Sequence, residues 1–284
     1  MPVLSALTLY PIKSCAGVAL QEATLTPAGL MHAHIYDREW MVVDPDGEAL
    51  TQREFPKMAL IVPRIGSDTL SVRAPGMLQL DIPLGLPHPD DARTRRVRIW
   101  DDEVDAWDGD ETTATWFSQA LGTACRLVRF PPDAERVSDM KWTAGAKALN
   151  LFSDGFPMLA IGAGSLDDLN GKLRAQGREA LPMNRFRPNL VFGDVPPFEE
   201  EFAESYRIGD AVLKPVKPCP RCPVPSVDQA TGEVGPDPLD ILRTYRANPK
   251  VGGGVTFGIN TILVEGEGRT VRVGQPVEIE LAFD

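Results

Sequence analysis

The sequence predicts a mainly β protein with a few helices, arranged as two β-rich units. Apolar residues alternate with polar ones over short stretches bounded by Pro, Gly or Asp, as in Leu78, Leu80 and Ile82, or Val97 and Ile99. That is the two-residue period of a half-buried strand. The 26 Pro and 25 Gly are spread along the chain instead of clustering, which suits many short strands joined by tight turns better than long helices.

Taken in order, the first hundred residues read as such strands, and His32 and His34 are expected on one face of one of them. Asp101-Asp102-Glu103 reads as a turn between strands. Asp110 can cap a helix carrying Trp116, Phe117, Ala120 and Leu121, with Gly122 placed to stop it. The Pro pair in Phe130-Pro131-Pro132-Asp133 follows the run Cys125 to Val128 and sets a boundary there, giving units 1–130 and 131–284. Ser165 and Asp168 form a capping-box-like start for a second helix with Leu166, Leu169 and Leu173. The acidic run Phe198-Glu199-Glu200-Glu201-Phe202 reads as a solvated loop. Asp237 followed by Pro238 opens a third helix, with Leu239, Leu242 and Tyr245 on one face.

A chain of 284 residues has ample room to bury a core. Its net charge of -11 repels a polyanion on average, so nucleic acid is not expected as a partner, while a local basic pocket for a small anion is allowed. The N-terminus lacks a basic start, and its first apolar stretch is broken by Pro11 and Lys13, so no secretory signal is expected. No apolar run reaches the roughly 18 residues of a membrane span. A cytoplasmic location is the expectation.

Four cysteines, Cys15, Cys125, Cys219 and Cys222, are too few for a disulfide scaffold. A close pair in a reducing compartment points instead to metal or redox chemistry. The two-residue spacing of Cys219 and Cys222 suits zinc, iron-sulfur and dithiol chemistry alike. Zinc needs two more soft ligands, yet Cys15 and Cys125 are isolated and the only histidines are His32, His34 and His88. A thioredoxin-like pair sits early, at a helix start, whereas this one is late and followed by Pro223 and Pro225. Two plainly buried thiols are a further alternative. Lys217 and Arg221 flank the pair, and cations stabilise a thiolate, which favours a metal-ligating role.

Pro218-Cys219-Pro220-Arg221-Cys222, followed by Val227-Asp228-Gln229-Ala230-Thr231-Gly232, resembles the cysteine motif of the MOSC-domain family, which includes the amidoxime-reducing components. Tyr10-Pro11-Ile12-Lys13-Ser14-Cys15 looks like the opening of the family's N-terminal β-barrel region. Asp37-Arg38-Glu39-Trp40, Leu50-Thr51-Gln52-Arg53 and Asn184-Arg185-Phe186-Arg187-Pro188-Asn189 resemble its further signatures.

The resemblance implies an N-terminal β-barrel domain followed by a MOSC β-barrel domain. It also implies a molybdenum cofactor (Mo-molybdopterin) whose metal is bound by Cys222, the catalytic ligand. By the same match Lys13, Ser14, Arg38, Arg185, Arg187, Asn189 and Arg221 would contact the cofactor, with Ser153, Asp154, Gly155 and Asn260 at further contact positions. A phosphate and a polar pterin need fixed cations and donors, which Arg and Lys supply. The implied reaction reduces small N-hydroxylated compounds, amidoximes and hydroxylamines, by oxygen-atom transfer to molybdenum. No cluster ligands follow the strand-like Val277 to Phe283, so a separate electron donor of ferredoxin or flavin-reductase type is expected. The alternative is a cofactor carrier or sulfur-transfer module related to the C-terminal domain of molybdenum cofactor sulfurase.

Overall fold

The computed structural model describes residues 1–86, 93–236 and 238–282; His88, Asp237, Phe283 and Asp284 lie outside the described residues. The protein is mainly β, with four α-helices among the described residues, two of them only one turn or so long. The largest sheet has the strand order Val18–Leu20, Val3–Leu9, Leu190–Gly193, Met158–Gly162, Gly254–Glu265, Ala211–Pro220, Ala203–Ile208, Glu278–Leu281. Among the described residues only Met158–Gly162 and Leu190–Gly193 run parallel in it, and the helix Ala163–Ala175 lies on the connection between them, as a parallel pair requires.

The sheet curls until its ends meet. Leu4 N donates to Gln275 O at 2.8 Å, Gly274 N to Leu4 O at 2.8 Å, and Val277 N to Pro2 O at 2.9 Å. The segment entering the last strand thus covers the free edge of the first, and the sheet closes into a barrel. Leu4, Leu7, Leu190, Phe192, Tyr206, Leu213 and Ile259 belong to one buried cluster, with the Phe192 and Tyr206 rings 4.8 Å apart.

The buried strand Trp40–Val43 pairs with Arg126–Arg129, which lies beside Asp102–Asp108 and Thr94–Ile99. A third sheet combines Glu22–Thr26, Gly29–His32 and Ile35–Tyr36 with Thr270–Arg272 from the far end of the chain. Strand pairing therefore crosses residue 130 in both directions: Val3–Leu9 serves the barrel, and Thr270–Arg272 serves the N-terminal sheet. Among the described residues, no helix is long and apolar enough to cross a membrane.

The helix Glu111–Leu121 has the ends its sequence predicts: Asp110 accepts from Thr113 N at 2.7 Å, and Gly122 adopts φ 74°. The second expected helix begins at Ala163, before the expected start, and Ser165 does not cap it. The Ser165 hydroxyl instead donates to Glu200, 2.7 and 2.9 Å from its two carboxylate oxygens. Glu200 is fully buried, so the acidic run is not a solvated loop. The last of the expected helices is the short Leu239–Arg243, with Leu239 and Leu242 buried and Tyr245 beyond its end.

His32 and His34 do not share a strand face. His32 pairs with Ile35, and His34 (φ 64°) sits with Ala33 (φ 48°) in the two-residue turn between them. Positive φ at both positions is the geometry of a tight hairpin. Leu78 is exposed and precedes its strand, Leu80–Pro83. Asp102 and Glu103 are already in a strand, and the turn is Trp100–Asp101.

Candidate functional site

A cleft with about 260 Å³ of open space lies where the barrel meets the N-terminal segments. Barrel residues Asn260, Lys217, Cys219, Arg221 and Cys222 form one wall; Lys13, Ser14, Arg38, Gln52 and Arg53 form the other. Ser153, Asp154, Gly155, Arg187 and Asn189 also line it. Residues spread over almost the whole sequence meet there because the barrel takes its first strand from the N-terminus.

The Tyr10 ring organises the cationic side. The guanidinium carbon of Arg38 lies 4.3 Å from its centroid and that of Arg187 4.2 Å, both at cation–π distance. Asp37 pairs with Arg38 and accepts from Tyr10 N at 2.8 Å and Asn189 Nδ2 at 2.9 Å. Burial nevertheless raises the Asp37 carboxyl pKa, opposed by Arg38. Asn189 Oδ1 accepts from Arg38 Nη1 at 3.2 Å and from Leu159 N at 3.1 Å, tying the barrel to the N-terminal wall.

Among the described residues Arg187 has no such carboxylate or amide partner. Its Nη2 is buried and unbonded among the described residues, and burial lowers its pKa, with Tyr10 opposing. A buried cation without a counterion is costly, and a bound anion would complete it. Lys13 donates to Phe152 O at 2.9 Å and pairs with Asp154. Burial holds the Lys13 pKa down; around Asp154 desolvation acts upward, but Lys13 prevails and keeps its carboxyl ionised well below the usual range.

Four lining residues occupy the left-handed region although none is glycine: Ser14 (φ 65°), Arg38 (φ 52°), Trp100 (φ 55°) and Arg187 (φ 56°). Such conformations are uncommon for side-chain-bearing residues and persist only where the surroundings enforce them.

The two cysteines of the pair are not equivalent. Arg221 Nη1 donates to Cys219 Sγ at 3.2 Å, and its Nη2 to Phe186 O at 2.9 Å. Burial pushes the Cys219 thiol up and Arg221 draws it down. Cys222 lines the cleft, and among the described residues its thiol has no hydrogen-bond partner. Cys15 and Cys125 lie in the apolar core, where burial raises both and pushes Cys15 up to about 12. Among the described residues no three His, Cys, Asp or Glu side chains gather into a metal-binding group.

Arg185 does not line the cleft. It turns to the following loop, pairing with Asp228 at 2.7 Å and donating to Pro225 O at 3.3 Å and Ser226 O at 3.1 Å. The same Asp228 accepts from Ala230 N and Thr231 N at 2.8 and 3.0 Å, so the pair braces the segment after Cys222. Asn260 donates to Lys217 O at 3.1 Å, and Ser153 Oγ to Asn150 Oδ1 at 3.1 Å. Arg136 fixes the backbone there, reaching Ser153 O at 2.6 Å and Asp154 O at 3.2 Å.

Sequence reasoning missed Arg136, Trp100, Phe156 and, as lining residues, Gln52, Arg53 and Lys217. Gln52 and Arg53 stood inside a quoted motif, which was the available signal; no spacing marked the other lining residues Trp100 and Phe156.

Residues 1–124 match the MOSC N-terminal beta barrel domain and residues 148–278 the MOSC domain. The chain belongs to the MOSC family. This MOSC protein is 34% identical over 247 residues to mitochondrial amidoxime reducing component 2 of Bos taurus, covering 86% of the chain and 72% of that relative. It is 32% identical over 280 residues to mitochondrial amidoxime-reducing component 1 of Homo sapiens, covering 95% and 81%. Molybdenum cofactor sulfurase of Oryza sativa subsp. japonica is 31% identical over 300 residues, covering 96% of this chain and 35% of that protein.

Proposed function

We propose that this MOSC protein is a molybdenum-cofactor-dependent reductase of N-hydroxylated compounds, with electrons delivered by a separate ferredoxin or flavin-reductase type protein. The observation that carries the reading is the buried, unbonded Nη2 of Arg187 in the cleft that also holds Lys13, Arg38 and the unpartnered Cys222 thiol. The residues fit an anionic cofactor that also needs a thiolate.

Cys222 is the protein ligand to the metal. Lys13, Arg38 and Arg187 hold the phosphate and pterin, Asn189 fixes Arg38, and Cys219 with Arg221 forms the adjacent wall. When bound, the molybdenum cofactor supplies two-electron chemistry coupled to oxygen-atom acceptance. For an amidoxime, the N–O bond breaks, two electrons and two protons are consumed, and an amidine and one water are released. The electrons come from the donor and the protons from solvent through the open cleft.

Elemental analysis of wild type beside Cys222→Ala tests the ligand assignment. Wild type is expected to hold molybdenum and the variant to lose it; equal contents would overturn the assignment. Reduction of an amidoxime by the loaded protein without any donor protein or chemical reductant would overturn the separate-donor part.

The sulfurase similarity, which covers 96% of this chain, favours a second reading as a cofactor carrier or sulfur-transfer module. Turnover separates the two, since a pure carrier reduces no N-hydroxy substrate under an artificial reductant.

A further inference from the structure

Trp100 is a large apolar residue left 43% exposed at the cleft that holds Cys222. It is also placed against its conformational preference. Ile99 and Asp102 pair across a two-residue connection made of Trp100 and Asp101. Positive φ occurs at the first of these and not at the second, the pattern of a hairpin turn that favours Gly at its first central position. Tryptophan there is strained, and incomplete burial leaves the hydrophobic effect little to offset the strain.

The ring is held in a defined orientation. Trp100 Nε1 donates to Asp154 Oδ1 at 3.2 Å, and Asp154 is the partner of Lys13. The Arg53 guanidinium lies 4.5 Å from the ring centroid and the Lys13 ammonium 5.8 Å. Among the described residues Arg53 forms no ion pair, so its planar cation rests on the indole alone. An aromatic ring fixed by a hydrogen bond at its edge, beside a planar and movable cation, is suited to receive another flat group.

We propose that Trp100 is a specificity-determining platform: its indole stacks against the planar aryl group of an N-hydroxylated substrate, with Arg53 moving aside or closing over that group. The inference rests on the reductase reading above. It places the aryl group of the substrate beside the Lys13–Asp154 pair that Trp100 touches, and it favours aryl over small aliphatic N-hydroxy compounds.

The test uses molybdenum-loaded full-length protein, with reduced viologen as donor, and compares benzamidoxime with acetamidoxime in wild type, Trp100→Ala, Trp100→Phe and Trp100→Gly. The ratio of kcat/KM for the aryl over the aliphatic substrate is expected to fall about tenfold in Trp100→Ala, the scale of one aromatic stack. The fall should lie in KM, and Trp100→Phe should recover most of it. Calorimetric binding of benzamidoxime to the oxidised protein, which does not depend on turnover, should weaken by a similar factor in Trp100→Ala.

Trp100→Gly should lose the same selectivity without a lower Tm, because Gly accepts the positive φ. A ratio unchanged in Trp100→Ala, a molybdenum content that falls with the activity, or a clearly lower Tm in Trp100→Gly would each overturn the proposal. If wild type reduces neither compound, the reductase reading fails. The calorimetry then still decides whether Trp100 binds the aryl group.

Discussion

Arg187 is the residue whose present arrangement is least self-sufficient: its guanidinium is stacked on Tyr10 beside a second cation, Arg38, at positive φ and with Nη2 unbonded among the described residues. Among the described residues the Tyr10 ring and the nearby Asp37 charge offset those costs only in part, and a bound anion would offset them further. Arg187→Gln removes the charge, and with it a charge-assisted contact of about 1.5–3 kcal/mol, or roughly ten- to hundredfold in cofactor retention. The variant is expected to carry less molybdenum while its cofactor-free form melts no lower than wild type, because the like-charge neighbour of Arg38 is gone. Equal molybdenum in both proteins, measured after identical dialysis, would remove Arg187 from the cofactor's anchors. The position of Arg187 was legible because a motif named it, and so was that of Lys13. The same motif named Arg185, which pairs with Asp228 and does not line the cleft. Arg185 ends the short helical turn Met183–Arg185, whereas Arg187 lies beyond it at φ 56°, so the two side chains leave the backbone in different settings. Trp100 had no legible signal, since a turn tip that would normally take Gly carries no periodicity.

At the scale of elements, the helix Ala163–Ala175 shows how a start can be hidden. The helix Glu111–Leu121 carries both its caps in adjacent residues, Asp110 and Gly122, and its sequence announced them. Ala163–Ala175 has no side-chain cap of its own; at its start the Glu200 carboxylate lies against the Gly162 backbone and accepts from the Ser165 hydroxyl. A Cβ added at Gly162 would meet that carboxylate at 2.7 Å, so a side chain there would have to displace Glu200. A partner 35 residues away leaves no local pattern. Burial raises the Glu200 carboxyl pKa, while Ser165, Gly162 and, more weakly, Arg246 lower it. The unfolded chain therefore releases this proton first as pH rises, near the ordinary value of about 4.3. The contribution that favours the fold at low pH is lost as pH climbs through the higher folded value. Glu200→Gln cannot ionise, so its Tm relative to wild type should improve between pH 4 and pH 7. A Tm difference constant across that range would show that Glu200 titrates alike in both states.

At the scale of the whole molecule, the two family matches, residues 1–124 and 148–278, lie on either side of Pro131-Pro132, while strand pairing crosses that boundary. Pairing across long separations is invisible to local patterning. Ser5 Oγ bonds Val191 O, 186 residues away, and the strand Val3–Leu9 supplies Leu4, Leu7 and Leu9 to the buried core. The mainly β class was readable because alternation and turn residues are local; barrel closure and the ownership of each strand were not. Burying three leucines is worth roughly 5–9 kcal/mol at about 1.5–3 kcal/mol each, comparable to the net stability of a whole domain, about 5–15 kcal/mol. Residues 131–284 expressed alone should therefore not form a stable barrel, since the edge of Leu190–Gly193 would be left unpaired and ready to aggregate. Residues 1–130 alone would lack Thr270–Arg272 on the strand Glu22–Thr26, and would carry Lys13 and Arg38 without Arg187 or Cys222. Co-expressed as separate chains, the two pieces should elute as one complex and bind molybdenum together, because each supplies one wall of the cleft. Recovery of a monomeric, cooperatively melting 131–284 fragment would show instead that the barrel closes without its first strand.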